Sequence, residues 1–235
     1  MIIIVNKIIS ILKNTQEELK KYLENKLLDF YSKDNIYSLE GGIIAFGNLP
    51  LTLLAHLDVK KSEYPKEILI EDGIIRSNDH ILGGDDRCGV AIILQLLEDG
   101  DRPNIIFTED EEVGCIGVYK LMRNKSIFEE LINRSNYLLQ LDRREKNDYV
   151  TYDSYNDELN KLMEETGFIY KTGTSTDIRH ISNNYNIASC NVSVGYYNEH
   201  TINEYVVIDE FIETYKKVKV LLNNIPSSRL ENFNF

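Results

Sequence analysis

The sequence is poor in several residue types that mark large protein classes. Its 235 residues include no tryptophan, four prolines and three cysteines. Cys88, Cys115 and Cys190 are odd in number and lie far apart, so they predict neither a disulfide framework nor a CxxC motif. We therefore expect a protein of a reducing compartment, the cytoplasm.

Positive charge is also scarce. The chain has 26 Lys and Arg against 38 Asp and Glu, a net charge of -12. Nucleic acids and anionic membranes bind clusters of Lys and Arg, so we expect neither as a partner. No run approaches the roughly 18 apolar residues of a membrane span. The opening MIIIV is too short for the apolar core of a signal peptide.

The sequence alternates between strand-like and helix-like segments. Thr15 and Glu18 predict a capping box before an amphipathic helix, and Asp72–Gly73 predicts a hairpin turn. Further helices are predicted at 87–98, 157–166 and 209–223, and strands at GGIIAFG, LTLLAHLD, NIIF, NYLLQLD and IASCNVSVG. This order predicts an α/β fold, a three-layer sandwich with helices on both faces of a central mixed, mostly parallel β-sheet. Without a break in composition, we expect one domain over residues 1–235.

Residues that can bind metals follow the ends of the predicted strands or begin a predicted helix. They are His56, Asp58, Asp85, Asp86, Glu111, Glu112, Asp142 and His200. Ligands of open α/β sheets bind outside the carboxyl ends of the strands, where these side chains would meet. Of the four histidines, only His80 and His180 do not occupy such positions.

Each of these residues alone has an ordinary explanation. A single histidine is commonly a core or surface residue, Asp85 could cap a helix, and an acidic run could be a solvated loop. Together, imidazole and carboxylate groups suit Zn²⁺, with Co²⁺ or Mn²⁺ as alternatives. Such a set can hold two metals about 3.5–4 Å apart and leave one carboxylate as general base.

Five motifs at these positions resemble the co-catalytic di-zinc exopeptidase superfamily, which includes zinc aminopeptidases and peptidase T-like tripeptidases. They occur in the order of that family and span residues 53–206. The motifs are LLAHLDV (53–59), LGGDDRCGVA (82–91), IIFTEDEEVG (105–114), LLQLD (138–142) and NEHTINEYV (198–206).

The resemblance implies two zinc ions per chain and a ligand role for each matched residue. His56 and Asp142 would bind the first zinc, and Glu112 and His200 the second. Asp85 would bridge both ions. Each zinc would then have three protein ligands and an open position for water.

The remaining matched residues are implied to support or perform the chemistry. Glu111 would be the general base and Asp58 would support the site geometry, while Asp85–Asp86 would be a cis peptide. Glu111 and Glu112 are consecutive and would point to opposite sides of a strand, so the strand must end in a turn before them. Gly114 could serve as the hinge of that turn.

Other residues near the motifs have less certain roles. Glu109 and Asp110 would lie at the rim or support a ligand histidine. Asp177, in the predicted polar loop 172–180, could contact substrate, or could belong to a surface turn. Arg143 and Arg144 could bind a substrate carboxylate bidentately, or could be a solvated basic pair.

The function implied is metal-assisted hydrolysis of a peptide or small amide, most simply by an aminopeptidase acting on short peptides. The stretches from Asp58 to Asp85 and from Asp142 to His200 are too short for the lid or dimerisation domain that many members insert. We thus expect a catalytic domain alone. The sequence does not determine its oligomeric state. Three alternatives remain: an N-acyl amino acid amidohydrolase, a carboxypeptidase-type relative, and a non-catalytic protein of this fold that is metal-binding or purely structural.

Overall fold

The chain folds around an eight-stranded β-sheet flanked by helices. The structure is a computed structural model and describes residues 2–60, 64–152 and 155–232. The helices are α1 (Ile2–Leu12), α2 (Gln16–Leu27), α3 (Gly84–Glu98), α4 (Ile116–Met122), α5 (Lys125–Asn133), α6 (Asp157–Glu165), α7 (Asp177–Tyr185) and α8 (Ile208–Asn223). The strands are β1 (Ile36–Leu39), β2 (Gly42–Ala45), β3 (Leu49–His56), β4 (Ile68–Glu71), β5 (Ile74–Ser77), β6 (Pro103–Thr108), β7 (Tyr137–Arg143), β8 (Asp148–Val150), β9 (Ile169–Tyr170), β10 (Ser189–Ser193), β11 (Tyr196–Tyr197) and β12 (Tyr205–Val207).

The central sheet is mixed and mostly parallel, as predicted. Its strand order is β1-β2-β6-β3-β7-β10-β8-β9. The four middle strands, β6, β3, β7 and β10, are parallel to one another, and β8 pairs with β9 in parallel. The pairs β1–β2, β2–β6 and β10–β8 are antiparallel. A second, four-stranded antiparallel sheet, in the order β11-β12-β5-β4, was not predicted.

Both faces of the central sheet are covered, which confirms the predicted sandwich. Along β3 the side chains alternate: Leu53 packs into the cluster formed with α1, α2, α3 and α8, and Leu54 into the cluster formed with α4, α5 and α7. Ile105 and Ile106 of β6 divide in the same way. A strand buried on both faces needs apolar residues at successive positions, and the apolar runs of the sequence supply them.

Local signals in the sequence were accurate at two places. Thr15 and Glu18 form the predicted capping box at the start of α2. Asp72 and Gly73 both have positive φ, 50° and 78°, and connect β4 to β5 as the predicted hairpin turn.

Two segments differ from the sequence interpretation. The opening apolar stretch belongs to α1, whose Ile4, Ile8 and Ile11 are buried in the core. The predicted loop 172–180 ends at Thr176, because α7 begins at Asp177. Across the described residues, no helix has the length and apolar character needed to cross a bilayer.

Candidate metal and catalytic site

Three neighbouring parallel strands bring the predicted site residues to one edge of the sheet. β3 ends at His56, β6 leads into Glu111 and Glu112, and Asp142 is the penultimate residue of β7. Because β6, β3 and β7 are adjacent and parallel, their carboxyl ends lie side by side. Asp85 reaches the same edge from the start of α3.

Asp85 lies between the two histidines predicted as ligands. Its Oδ1 is 3.0 Å from Nε2 of His56, and its Oδ2 is 3.1 Å from Nε2 of His200. Each histidine also faces a second carboxylate: His56 Nε2 is 3.4 Å from Asp142 Oδ1, and His200 Nε2 is 2.5 Å from Glu112 Oε1. The five residues therefore form two groups of three potential ligands that share Asp85.

Asp58 holds the turn that carries the consecutive glutamates. Its carboxylate accepts hydrogen bonds from the backbone N–H of Glu111 at 3.0 Å and of Glu112 at 2.9 Å. Its Oδ1 is also 3.2 Å from Nδ1 of His56. The turn predicted from the consecutive acids is present, and Gly114, with φ of 102°, lies within it. Asp58 thus fixes both glutamates relative to His56.

The first two acids of the TEDEE run have other partners. Glu109 forms an ion pair with Lys20 of α2 at 2.7 Å. Asp110 exchanges two hydrogen bonds with the side-chain amide of Gln16. Both acids thus attach this segment to α2 and, contrary to one interpretation of the sequence, neither supports a ligand histidine.

The backbone around Asp85 is held by two buried acids. Glu204 accepts hydrogen bonds from the N–H groups of Gly83 and Asp85 at 2.8 and 3.0 Å. Asp86 accepts one from the N–H of His56 at 3.2 Å. The Asp85–Asp86 peptide is cis, as the resemblance implies.

Thr176 contacts both the predicted base and a predicted ligand. Its hydroxyl lies 3.0 Å from Glu111 Oε1 and 2.9 Å from Asp142 Oδ2, and accepts a hydrogen bond from the side-chain amide of Gln140. The thiol of Cys115 is 3.7 Å from the same oxygen of Glu111. Glu111 therefore has fixed neighbours although it belongs to neither group of three.

The site carries more negative charge than its histidines balance. Burial raises the pKa of Asp142 well above its usual range, and burial with repulsion from Asp85 and Glu112 raises that of Glu111. Hydrogen bonds to Asp85 and Glu112 raise the pKa of His200 to about 10. Burial lowers the pKa of His56, but Asp142, Asp58 and Asp85 outweigh it and raise the value above normal.

The donor set fits divalent cations. Imidazole nitrogen and carboxylate oxygen are the ligands that Zn²⁺, Co²⁺ and Mn²⁺ accept, and a shared carboxylate suits two adjacent ions. Glu112 Oε1 is buried, and Nε2 of His200 lies 2.5 Å from it. Imidazole nitrogens and carboxylate oxygens that converge in this way are the atoms that coordinate a metal ion.

The site opens into a cavity of about 700 Å³. Arg143 lines it, and its buried Nε has no hydrogen-bond partner among the described residues; its Nη2 is 3.7 Å from Asp148. Arg144 also lines the cavity but pairs with Glu199 at 2.8 Å. Asp177 is fully buried and accepts a hydrogen bond from Thr108, so it is not part of a surface turn.

The burial of Asp177 and its position relative to the cavity bear on whether this residue can contact substrate. Burial, followed by repulsion from Glu111, raises its pKa to about 7. It does not line the cavity, whereas the preceding Thr176 does. Asp177 therefore lies behind the described residues that line the cavity.

Sequence reasoning missed several residues of the site. Gln140 lies within the fourth motif, Glu204 within the fifth and Thr176 within the predicted loop 172–180, but none of the three was singled out. Lys60, two residues after Asp58, donates to the backbone carbonyl of Glu112 at 2.7 Å. A basic residue beside a cluster of acids was the one signal that could have found it.

Comparison with known proteins rests on structure. No family model matches the sequence, and no curated protein matches it. Aminopeptidase PepT from Bacillus cereus superposes with a TM-score of 0.73 at 16% identity, covering 93% of this chain and 97% of that one. A Staphylococcus aureus tripeptidase gives a TM-score of 0.73 at 14% identity, with 94% and 98% covered.

A third similar structure comes from an archaeon. The TET1 peptidase of Pyrococcus horikoshii, which can assemble into a tetrahedron or a large octahedral shell, gives a TM-score of 0.64 at 12% identity. The match covers 93% of this chain and 99% of that one. These likenesses establish that the chain has a fold shared with solved aminopeptidases and tripeptidases.

Replacing Thr176 by Val should destabilise the protein by about 1–3 kcal/mol, because Gln140 and the two carboxylates lose a buried hydroxyl partner. Urea unfolding, with chelator present, measures the change. The exposed Thr174 of the same segment is the matched control, and its replacement by Val should cost under about 0.5 kcal/mol. Equal losses in the two variants would contradict the assigned network.

Proposed function

We propose that this chain is a two-metal exopeptidase that hydrolyses peptide amide bonds, as an aminopeptidase on short peptides. The observation that carries the proposal is the position of Asp85 between His56 and His200, with a further carboxylate beside each imidazole. The fold shared with solved aminopeptidases supports it. The catalytic unit proposed is one domain over residues 1–235, without an inserted lid or dimerisation domain.

The residues divide into two ligand groups and one base. His56, Asp85 and Asp142 would hold one cation, and Asp85, Glu112 and His200 the other. Such ions, Zn²⁺ or alternatively Co²⁺ or Mn²⁺, supply Lewis-acid polarisation of the scissile carbonyl and lower the pKa of the attacking water.

Glu111 is the general base of the proposal. It lines the cavity, belongs to neither ligand group and has a pKa raised chiefly by burial. It would take the proton of the attacking water and deliver it to the leaving amine nitrogen. Thr176 and the turn held by Asp58 keep its carboxylate at a fixed place during both transfers.

A second candidate activity is favoured by Arg143. An N-acyl amino acid amidohydrolase or a carboxypeptidase-type enzyme must recognise a free substrate carboxylate, and a guanidinium suits that group. Arg143 lines the cavity directly after Asp142. Within the part of the chain that the structure describes, its Nε has no hydrogen-bond partner and its shortest ion pair is the 3.7 Å contact to Asp148. Arg144 is less available to a substrate carboxylate, because its Nη1 already donates a hydrogen bond to Glu199.

Metal binding should stabilise the protein and depend on His56. Adding Zn²⁺ to chelator-treated protein at about 100 times the dissociation constant should add about 2.7 kcal/mol of stability for each ion bound, because an ion that binds only the folded chain shifts the unfolding equilibrium by mass action. Elemental analysis should find two ions per chain. His56→Ala should abolish most of the thermal shift, whereas His80→Ala, outside both ligand groups, should retain it. Fewer than one ion per chain would favour the non-catalytic alternative.

Glu111→Gln should lower kcat by roughly 10²–10⁴-fold while metal stays bound, because the amide cannot accept the proton of water. Steady-state hydrolysis of an amino acid amide panel and elemental analysis of the same sample provide the two measurements. Glu109→Gln is the matched control, since Glu109 pairs with Lys20, and should keep near wild-type activity. Wild-type turnover by Glu111→Gln would exclude the mechanism.

Arg143→Gln separates the two candidate activities. If a substrate carboxylate binds Arg143, the variant should lose about ten-fold in kcat/KM on N-acyl amino acids and little on amino acid amides, since charge-assisted hydrogen bonds contribute about 1.5–3 kcal/mol. Arg144→Gln, whose side chain is exposed and paired, should change neither. A strict requirement for a free α-amine, with Arg143→Gln unaffected, would leave the aminopeptidase as the better assignment.

A further inference from the structure

A second cavity, the α4–α7 groove, lies between helices α4 and α7 and also has a volume of about 700 Å³. It shares no lining residue with the catalytic cavity among the described residues. Its walls combine two kinds of side chain, the apolar Ile116, Tyr119 and Tyr185 and the basic Lys120, Arg123 and Lys125.

The apolar part of the groove is accessible. Ile116 and Tyr119, which line it, are 40% and 45% exposed. Tyr185 is half-buried and packs against Phe128 with ring centroids 5.3 Å apart. Large apolar side chains grouped in this way mark surfaces that bind something apolar.

The basic part of the groove stands out against the charge of the molecule. The chain has a net charge of -12, yet no acid lines the groove in the residues that the structure describes. Arg123 and Lys125 are exposed and form no ion pair with any described residue, whereas Lys120 is 3.4 Å from Glu40. A locally positive surface on an acidic protein attracts acidic ligands.

One aromatic pair separates the groove from the catalytic cavity. Tyr119 lines the groove, and its hydroxyl lies 2.8 Å from Nδ1 of His180, with ring centroids 4.8 Å apart. His180 and Ser175 line the catalytic cavity, as does Cys115 directly before α4. A polypeptide leaving the catalytic cavity over this pair would enter the groove.

We propose that the α4–α7 groove extends the substrate-binding surface and takes the segment of a peptide substrate remote from the scissile bond. Its preferred occupant carries acidic side chains, opposite Arg123 and Lys125, and an apolar or aromatic side chain, against Ile116 and Tyr119. The inference rests on the proposed peptidase function, because it assigns the groove to the same substrate. The substrate class is thereby acidic and apolar peptides longer than the catalytic cavity alone requires.

The test measures peptide binding apart from cleavage. Two fluorescent peptides share their first three residues, and one ends in aspartate–phenylalanine and the other in lysine–serine. Their affinity for the Glu111→Gln protein is measured by fluorescence anisotropy titration. Adding Arg123→Glu and Lys125→Glu should weaken binding of the acidic peptide roughly five- to ten-fold, and less at high salt, because attraction becomes repulsion. The control, Lys33→Glu with Lys216→Glu, makes the same charge change at exposed sites outside the groove.

Each outcome decides the inference. Equal affinities for the two charge-reversed proteins would overturn it, as would a change in oligomeric state by light scattering without a change in peptide affinity, which would assign the groove to a second copy of the chain. If peptide binding depends on the groove but the wild type cleaves no amide, the proposed peptidase function is wrong and the groove remains a peptide-binding surface. If the wild type cleaves amides but peptide binding does not depend on the groove, the peptidase function stands and the peptide-binding role of the groove is wrong.

Discussion

The candidate site depends on one electrostatic constraint, the crowding of carboxylates around two imidazoles. Asp85, Glu112 and Asp142 lie within 3.4 Å of His56 or His200, and their surroundings exclude most water. Like charges in such surroundings repel strongly, and either protons or cations must neutralise them. A proton neutralises one carboxylate, whereas a dication attracts several at once and favours the convergent arrangement seen here.

That arrangement is built by the sheet and by residues outside the two ligand groups. Parallel strands deliver His56 and Asp142 to one edge, but strand ends alone do not set the orientation of a side chain. Asp58 fixes the glutamate turn, and Glu204 fixes the backbone on which Asp85 lies. The repulsion is therefore opposed by backbone hydrogen bonds from several elements.

The sequence was informative where chemistry follows a local pattern. The apolar runs of β3, β6 and β7 and the polar residues after them indicated both the sandwich and the edge where the site lies. Thr176 and Glu204 could not be found in this way, because their partners are distant in the chain. The opening segment was missed because a short apolar run has no period that distinguishes a buried helix from a strand.

Charge is segregated around the site, and this bears on how substrate would be selected. Acids converge on the catalytic edge, while Arg143 lies beside it and Arg123 and Lys125 line the α4–α7 groove. An acidic substrate would be repelled by the carboxylates unless cations were bound, so the recognition of acidic groups would depend on metal occupancy. Arg143 would then bind a substrate carboxylate close to the scissile bond, and the α4–α7 groove would bind one farther from it. Under the proposed function, bound cations would neutralise the negative edge, and the basic surfaces beside it would select which peptides approach it.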